Sequence, residues 1–238
     1  MLMPVNHRRK GGSVLTPYRH EWKIEVNAPD LLVLRQRLRC VLKPDPHAVN
    51  GCYCIRSLYF DTPEDKALRE KLDGVSRREK FRIRYYNGDL SCIHLEKKSK
   101  IAGLGRKDTA VLTPEQAQKL ADGELSWMAG SEAPLLLELY SKMRTQRLGP
   151  KTIVDYTREP FVYRPGNVRV TLDYNIRTGL RCTDFLNVRC PTIPVPEDPA
   201  ILEVKWDAFL PDTVRDLVQL PGRRSGAFSK YAACRSYD

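Results

Sequence analysis

The sequence predicts an α+β fold built around an antiparallel sheet or barrel. Three observations lead there. Six or more segments alternate polar and apolar residues at the two-residue period of a strand. The segments do not follow the strand-helix-strand rhythm that makes a parallel sheet. No internal repeat, low-complexity run or linker cuts the chain in two, so residues 18–238 read as a single domain behind a basic leader at 1–17.

The elements follow in order. Tyr18 to Val26 alternates and reads as a strand. Asn27 can cap a helix that opens on Ala28-Pro29-Asp30, because a short polar side chain there satisfies a free N–H and Pro fits the first turn. Leu31, Leu34, Leu38 and Val41 keep helical spacing, and Pro44 and Pro46 end it. Cys52 to Thr62 is β-branched and aromatic, a strand; Pro63 opens a short helix to about Leu72. A hairpin turns at Asn87-Gly88-Asp89 between strands that include Lys80–Tyr86 and a limb running to Lys100. Thr113-Pro114-Glu115-Gln116 starts a second capped helix, and Pro134 to Arg147 is a third, rich in leucine. Lys151–Tyr163 and Asn167–Thr178 are strands. Residues 183–199 hold four prolines and read as a loop crossing. Ile201–Asp207 is a strand, Pro211–Leu220 a helix, and the closing SGAFSKYAACRSYD is helical in part.

The totals narrow the class of partner. The chain has 238 residues, enough for a real core, and 42% of them are hydrophobic. No run approaches the roughly 18 apolar residues of a membrane span, and the leader MLMPVNHRRKGGSVLTP lacks the apolar stretch of a signal peptide. Seven cysteines with no CxxC pair or zinc spacing read as free thiols in a reducing cytoplasm. Forty Lys and Arg against 29 Asp and Glu leave a net charge of +11, which favours a polyanionic partner.

The placement of the charges says more. Strand residues two apart share a face. Arg19, Glu21, Lys23 and Glu25 share one against Trp22, Ile24 and Val26. Lys80, Arg82 and Arg84 oppose Phe81, Ile83 and Tyr85; His94, Glu96, Lys98 and Lys100 oppose Ile93 and Leu95. Arg169, Thr171, Asp173 and Asn175 share a face, as do Glu203, Lys205 and Asp207, and Arg158 shares one with Tyr156. An antiparallel sheet often wets one face, which would aim these charges at water. Two details count against that. The positions are nearly all ionised, with little of the Ser, Thr and Gln of an ordinary wet face, and they are Arg and Lys with a few Glu on strand after strand. The alternative is a sheet closed with its ionic face inward. Unpaired buried cations are prohibitively costly, so such a lumen must hold water and anions. Cations bind phosphate oxygens, Arg bidentately, and carboxylates among them can hold a divalent metal.

At these residues the ordered set YRHEWK, IRSLYFDT, EKLDG, KFRIRYY, IHLEKKSK, Tyr156-Thr157-Arg158-Glu159, NVRVTLDYNIR, ILEVKWD and FSKY resembles the VTC-type polyphosphate polymerase domain, a branch of the triphosphate tunnel metalloenzyme (CYTH-like) superfamily. The resemblance spans about Tyr18 to Tyr231. It implies an eight-stranded antiparallel β-barrel, a triphosphate tunnel, with helices packed on the outside. It implies a phosphotransferase that moves the terminal phosphoryl of ATP onto a growing inorganic polyphosphate chain, with Mn²⁺ or Mg²⁺ as cofactor. On that basis Arg82, Arg84, Lys98 and Glu203 carry the reaction. Lys23, Lys71, Lys100, Arg158, Arg169, Lys205 and Lys230 bind substrate. Glu203 holds the metal, with Glu96 as a second acid. The expected partners are ATP and polyphosphate, not nucleic acid, and a separately encoded membrane partner is in keeping with the family.

Two departures stand out. The hydrolytic branch opens Glu-x-Glu-x-Lys, whereas here Arg19 stands at the first position, before Glu21 and Lys23. Ala227 precedes Phe228 where another cation is expected. Two alternatives stay open: a tripolyphosphate or nucleoside triphosphate hydrolase on the same scaffold, and a non-catalytic module binding polyphosphate or RNA. RNA readers interleave exposed aromatics for base stacking; aromatics are 8% of this chain and most alternate away from the cations. Asp173 reads equally as a metal ligand or as a partner of Arg169 or Arg177, and Asp61 as a cap for the turn that follows it.

Overall fold

The structure is a computed structural model and describes residues 14–15 and 18–237. Its frame is eight antiparallel strands: β1 (His20–Val26), β2 (Tyr53–Asp61), β3 (Arg78–Tyr86), β4 (Asp89–Ile101), β5 (Leu104–Leu112), β6 (Gly149–Tyr163), β7 (Val168–Thr178) and β8 (Ala200–Trp206). Their order across the sheet is β5-β4-β3-β2-β6-β7-β8-β1. The sheet curls into a half-barrel, and its two edge strands meet where Arg19 N donates to Gly105 O at 3.0 Å and Gly105 N returns the bond at 3.2 Å. A second contact closes the same seam from the C-terminal side, where Gly226 N donates to Lys23 O at 2.7 Å.

Local chemistry explains most elements. Helix α1 (Ala28–Val41) carries a full capping box, with Asn27 and Asp30 each accepting from the other's backbone N–H. Helix α3 (Pro114–Ala121), which follows α2 (Lys66–Leu72), repeats the device with Thr113 and Gln116. The β3–β4 turn places Asn87 and Gly88 at φ 52° and 72°, the left-handed pair that a tight hairpin requires. Asp61 does cap the next segment, accepting from Thr62, Ala67 and Leu68 N–H groups.

Strand β5 and the Val14–Leu15 pair are additions to the sequence reading. Val14 and Leu15 pair with Thr109 and Asp108 on β5, so this part of the expected leader joins the sheet edge. The other positions of 1–17 lie outside the described residues. The proline-rich crossing contributes only the two-residue strand Ile193–Pro194, against β7.

Apolar side chains of the sheet face outward in two blocks. Phe81, Ile83 and Leu95 pack under α3 and α4 (Pro134–Thr145); Ile24, Val170, Leu202 and Val204 pack under α1 and α5 (Asp212–Val218). Each fully buried leucine or isoleucine there contributes about 1.5–3 kcal/mol. These helices therefore cover the outside, as expected. Helix α6 (Lys230–Cys234) does something else. It sends Tyr231 and Cys234 among Ile55, Tyr59, Val154, Tyr156 and Ile201, side chains of the inner face. One end of the bore is thus stoppered by an apolar plug, held where Tyr231 Oη donates to Asp61 at 2.8 Å and Arg235 pairs with Asp65 at 2.9 Å.

Candidate active site: a cationic bore

Because the apolar face of every strand is taken by helices, the ionic face is the inside of the curl. It encloses a cavity of about 270 Å³ lined by twelve Lys or Arg residues and two glutamates. Such an excess of positive charge in a confined space demands an anion.

The strands bring most expected residues to this one space. Lys23, Arg82, Arg84, Lys98, Arg158, Arg169, Glu203, Lys205 and Lys230 all line it. Lys71 and Lys100 do not. They line a narrower chamber of about 80 Å³ together with Arg78 and Ala227. The two chambers share Glu21, Lys23, Lys80, Lys98 and Ser229 as common wall, so they are successive compartments of one bore.

Carboxylates hold the cations in fixed poses. Glu96 on β4 accepts from Arg82 at 2.6 Å and Lys107 at 3.1 Å, with Arg84 at 3.8 Å. Burial would raise its pKa, but Arg82, Arg84 and Lys107 hold it well below the usual range. Its oxygens are occupied by the cations it orients. Asp173 on β7 is fully buried and grips Arg158 at 2.6 and 2.7 Å and Lys230 at 2.6 Å. Burial acts against its charge, yet Arg158 and Lys230 bring its pKa down to about 2. Asp173 therefore partners neither Arg169 nor Arg177, the two neighbours that sequence distance suggested. Lys230 comes from 57 residues away, on the first turn of α6.

Glu203 is the carboxylate at the centre. Its Oε2 accepts from Arg158 at 3.0 Å, and its Oε1 lies 3.1 Å from Lys205 and 3.8 Å from Lys23. Glu21 sits beside it, reaching the same Lys205 at 3.5 Å and Lys98 at 3.0 Å. Burial would neutralise Glu203, but Lys205, the contact with Glu21, Lys23 and Arg158 keep it ionised well below the usual range. Lys98 is pushed the other way: burial first and Lys23 second hold its pKa well below that of a free lysine.

The pairing of Glu203 with Glu21 bears on a metal. Among the described residues no group of three or more His, Cys, Asp or Glu converges. Here the described residues offer two adjacent carboxylates, Glu203 and Glu21. That is a fit for Mg²⁺ or Mn²⁺, which take one or two carboxylates and complete their shell with water and substrate phosphate.

Aromatic residues are the main correction to the sequence reading. Tyr53, Tyr59 and Tyr86 line the bore beside the cations instead of alternating away from them, and Tyr156 lines it on the face it shares with Arg158. Arg82 donates to Tyr59 Oη at 2.6 Å and Arg84 donates to Tyr156 Oη at 3.0 Å. Lys230 lies 4.7 Å from the centre of the Tyr156 ring and Lys80 lies 5.3 Å from that of Tyr59. Burial would raise the Tyr59 phenol, but Arg82, Lys80 and Arg84 together bring it down to about 7. Burial also lowers Lys80 to about 8. Lys80, Tyr59, Tyr156 and Lys107 are bore residues absent from the sequence assignment. For Lys80 the signal was present in its spacing with Arg82 and Arg84. For the tyrosines it was a two-residue step from Ser57 and from Arg158.

An antiparallel sheet curled around such a bore defines a class of tunnel folds, and the comparisons agree. The putative adenylyl cyclase HpAC1 from Hippeastrum, described as having a dominant triphosphatase activity, is similar in fold with a TM-score of 0.54. It is 16% identical, and the match covers 92% of this chain and 96% of that one. A putative adenylate cyclase from Bacillus halodurans aligns with a TM-score of 0.49 at 14% identity over 79% of each chain. The Hippeastrum likeness, at 16% identity, speaks to fold alone, and the second match is too loose to add to it. No curated protein matches the chain by sequence. The profile of the VTC domain family matches residues 18–237, and the chain belongs to that family.

Proposed function

We propose that this protein is a polyphosphate-related tunnel enzyme, and specifically a polymerase that transfers the terminal phosphoryl of ATP to a growing polyphosphate chain within the bore. The observation that carries the reading is the convergence of Arg82, Arg84, Lys98, Arg158 and Lys205 with Glu203 on one enclosed cavity, in a chain of the VTC family.

Phosphoryl transfer asks the protein for position and charge more than for covalent chemistry. Arg82 and Arg84 are pre-set by Glu96, Tyr59 and Tyr156, so they meet phosphate oxygens without reorganising. Lys98 and Lys205 face them from β4 and β8. Arg158 and Lys230, braced by Asp173, hold the next phosphoryl group along the bore. Glu203, with Glu21 beside it, would hold Mn²⁺ or Mg²⁺, which when bound would offset phosphate charge. Lys23, Lys80, Lys71 and Lys100 form a cationic track through the narrower chamber, suited to the polyphosphate chain. No general base is assigned, because the nucleophile is already a phosphate oxygen anion.

Two observations favour transfer over hydrolysis and over RNA binding. Arg19 stands where a hydrolytic relative has glutamate, and it is engaged with Asp207 at 2.6 Å. The tyrosines are enclosed with the cations, so they offer no stacking platform to RNA. Among the described residues no helix is long and apolar enough to cross a membrane.

The test is ATP with Mn²⁺, read by phosphorus NMR and by gel. Long chains are the expected product. Free phosphate without chains would make the protein a hydrolase, and tight binding without turnover a polyphosphate module.

A further inference from the structure

Buried polar side-chain atoms are almost always hydrogen-bonded, and an exception calls for an explanation. Three such atoms among the described residues find no partner: Nδ1 of His94, Nε of Arg169 and Oγ1 of Thr171. The last two belong to one face of β7, two residues apart, and both residues line the wider chamber.

Their neighbours explain the isolation. Across the ladder Thr171 lies opposite Glu203 on one side and Pro160 on the other. The proline side chain offers nothing polar. The Glu203 carboxylate is already shared by Arg158 and Lys205. Thr171 is 3% exposed, so bulk water does not satisfy its hydroxyl either. Arg169 is held from behind: Asp45, itself buried, accepts from its Nη2 at 3.0 Å and is fixed in turn by the His47 N–H at 3.0 Å. That clamp sets the guanidinium while leaving Nε uncommitted in the chamber wall.

We propose that Thr171 is a substrate-binding residue: its hydroxyl and the Arg169 Nε–H form a two-donor subsite for a non-bridging oxygen of a condensed phosphate, next to Glu203. The hydroxyl adds direction without adding charge to a bore already rich in cations. Asp45 is a positioning residue that acts through Arg169. This inference rests on the reading of the bore as a triphosphate site and assigns one contact within it.

Thr171→Val preserves shape and removes the hydroxyl, Thr171→Ser preserves the hydroxyl, and Thr171→Ala checks that lost packing is not the cause. Each full-length variant is titrated calorimetrically with inorganic tripolyphosphate in the absence of metal, and its unfolding midpoint is measured without ligand. The expected result is about tenfold weaker binding for Thr171→Val and Thr171→Ala, and binding within twofold of wild type for Thr171→Ser. The unliganded Thr171→Val protein should melt no lower than wild type, since it loses an unpartnered buried hydroxyl. A structural hydroxyl predicts the reverse pattern, with a lower midpoint and unchanged affinity. That pattern, or Thr171→Val binding within twofold of wild type, overturns the assignment while leaving the triphosphate reading intact. A wild-type protein that does not bind tripolyphosphate overturns both.

Discussion

Replacing Asp173 by Asn tests how the bore keeps its cations in place. The Asp173 carboxylate is fully buried and neutralises Arg158 and Lys230 at 2.6 Å each. Its pKa falls from 3.8 to about 2 on folding. At about 1.4 kcal/mol per pKa unit, the ionised form contributes roughly 2–3 kcal/mol of stability at neutral pH. The amide also leaves Lys230 without its counter-ion and Arg158 with Glu203 alone, and losing one partner of a buried pair costs about 3–5 kcal/mol. For a chain of this size 1 kcal/mol shifts the melting temperature by about 2–4 °C, so Asp173→Asn should melt roughly 5–20 °C lower. A condensed phosphate can supply the missing negative charge. Saturating tripolyphosphate should therefore raise the variant's midpoint more than it raises that of wild type. Thermal melts with and without saturating tripolyphosphate, at fixed low salt, read both quantities. A variant that melts within about 2 °C of wild type, or gains less from ligand than wild type does, would refute the reasoning.

The remaining predictions touch the rest of the bore and the core. Arg84→Ala and Glu203→Gln should each lower turnover by at least 10²–10³-fold, on the order of what removing one charge-stabilising donor costs, while circular dichroism reports an intact fold; full activity in both counts against the site. Tripolyphosphate affinity, compared between wild type and Tyr59→Phe at each pH so that the ligand's own titration cancels, should fall more steeply in wild type as pH rises past about 7, where the Tyr59 phenol ionises among Arg82 and Lys80; parallel curves would exclude that titration. The linked stability runs the opposite way, since a phenol pKa depressed on folding adds stability that is complete above the ordinary phenol range and is lost as pH falls to about 7. On the acid side Glu96, Asp173 and Glu203 all have depressed pKa values, so their stabilisation is complete above the ordinary carboxylate range and is lost as pH drops below it. Leu34→Ala, at a fully buried position of α1, should cost about 2–5 kcal/mol in denaturant melts and leave tripolyphosphate affinity unchanged.

The two-residue spacing of ions along β1, β3, β4, β7 and β8 carried most of the site, because strand geometry leaves each such series one face to share. Caps at Asn27 and Thr113 carried the helix starts, since the chemistry lies within four residues of chain. What failed to show was what depends on distant partners. Strand β5 reads Leu-Gly-Arg-Lys-Asp and has no apolar alternation in its first half; it is a strand because it pairs with β4 from Leu104 to Leu112. The face of β2 was ambiguous, because Tyr53, Ile55, Ser57, Tyr59 and Asp61 mix polar and apolar character, and only the registers with Arg82 and Arg84 put them inside. Asp173 lies four residues from each of the cations sequence would choose, Arg169 and Arg177, yet it is satisfied by Arg158 across the ladder and by Lys230 from α6. Nothing in Lys80 to Lys100 reveals that a C-terminal helix stoppers the bore.

Crystals of the protein soaked with tripolyphosphate and Mn²⁺ offer the most direct examination of the bore as a phosphate site. Anomalous scattering from manganese beside Glu203, with phosphate density between Arg82, Arg84 and Lys98, is the outcome this account requires. Phosphate density confined to the outer surface, with the metal away from Glu203, would contradict it.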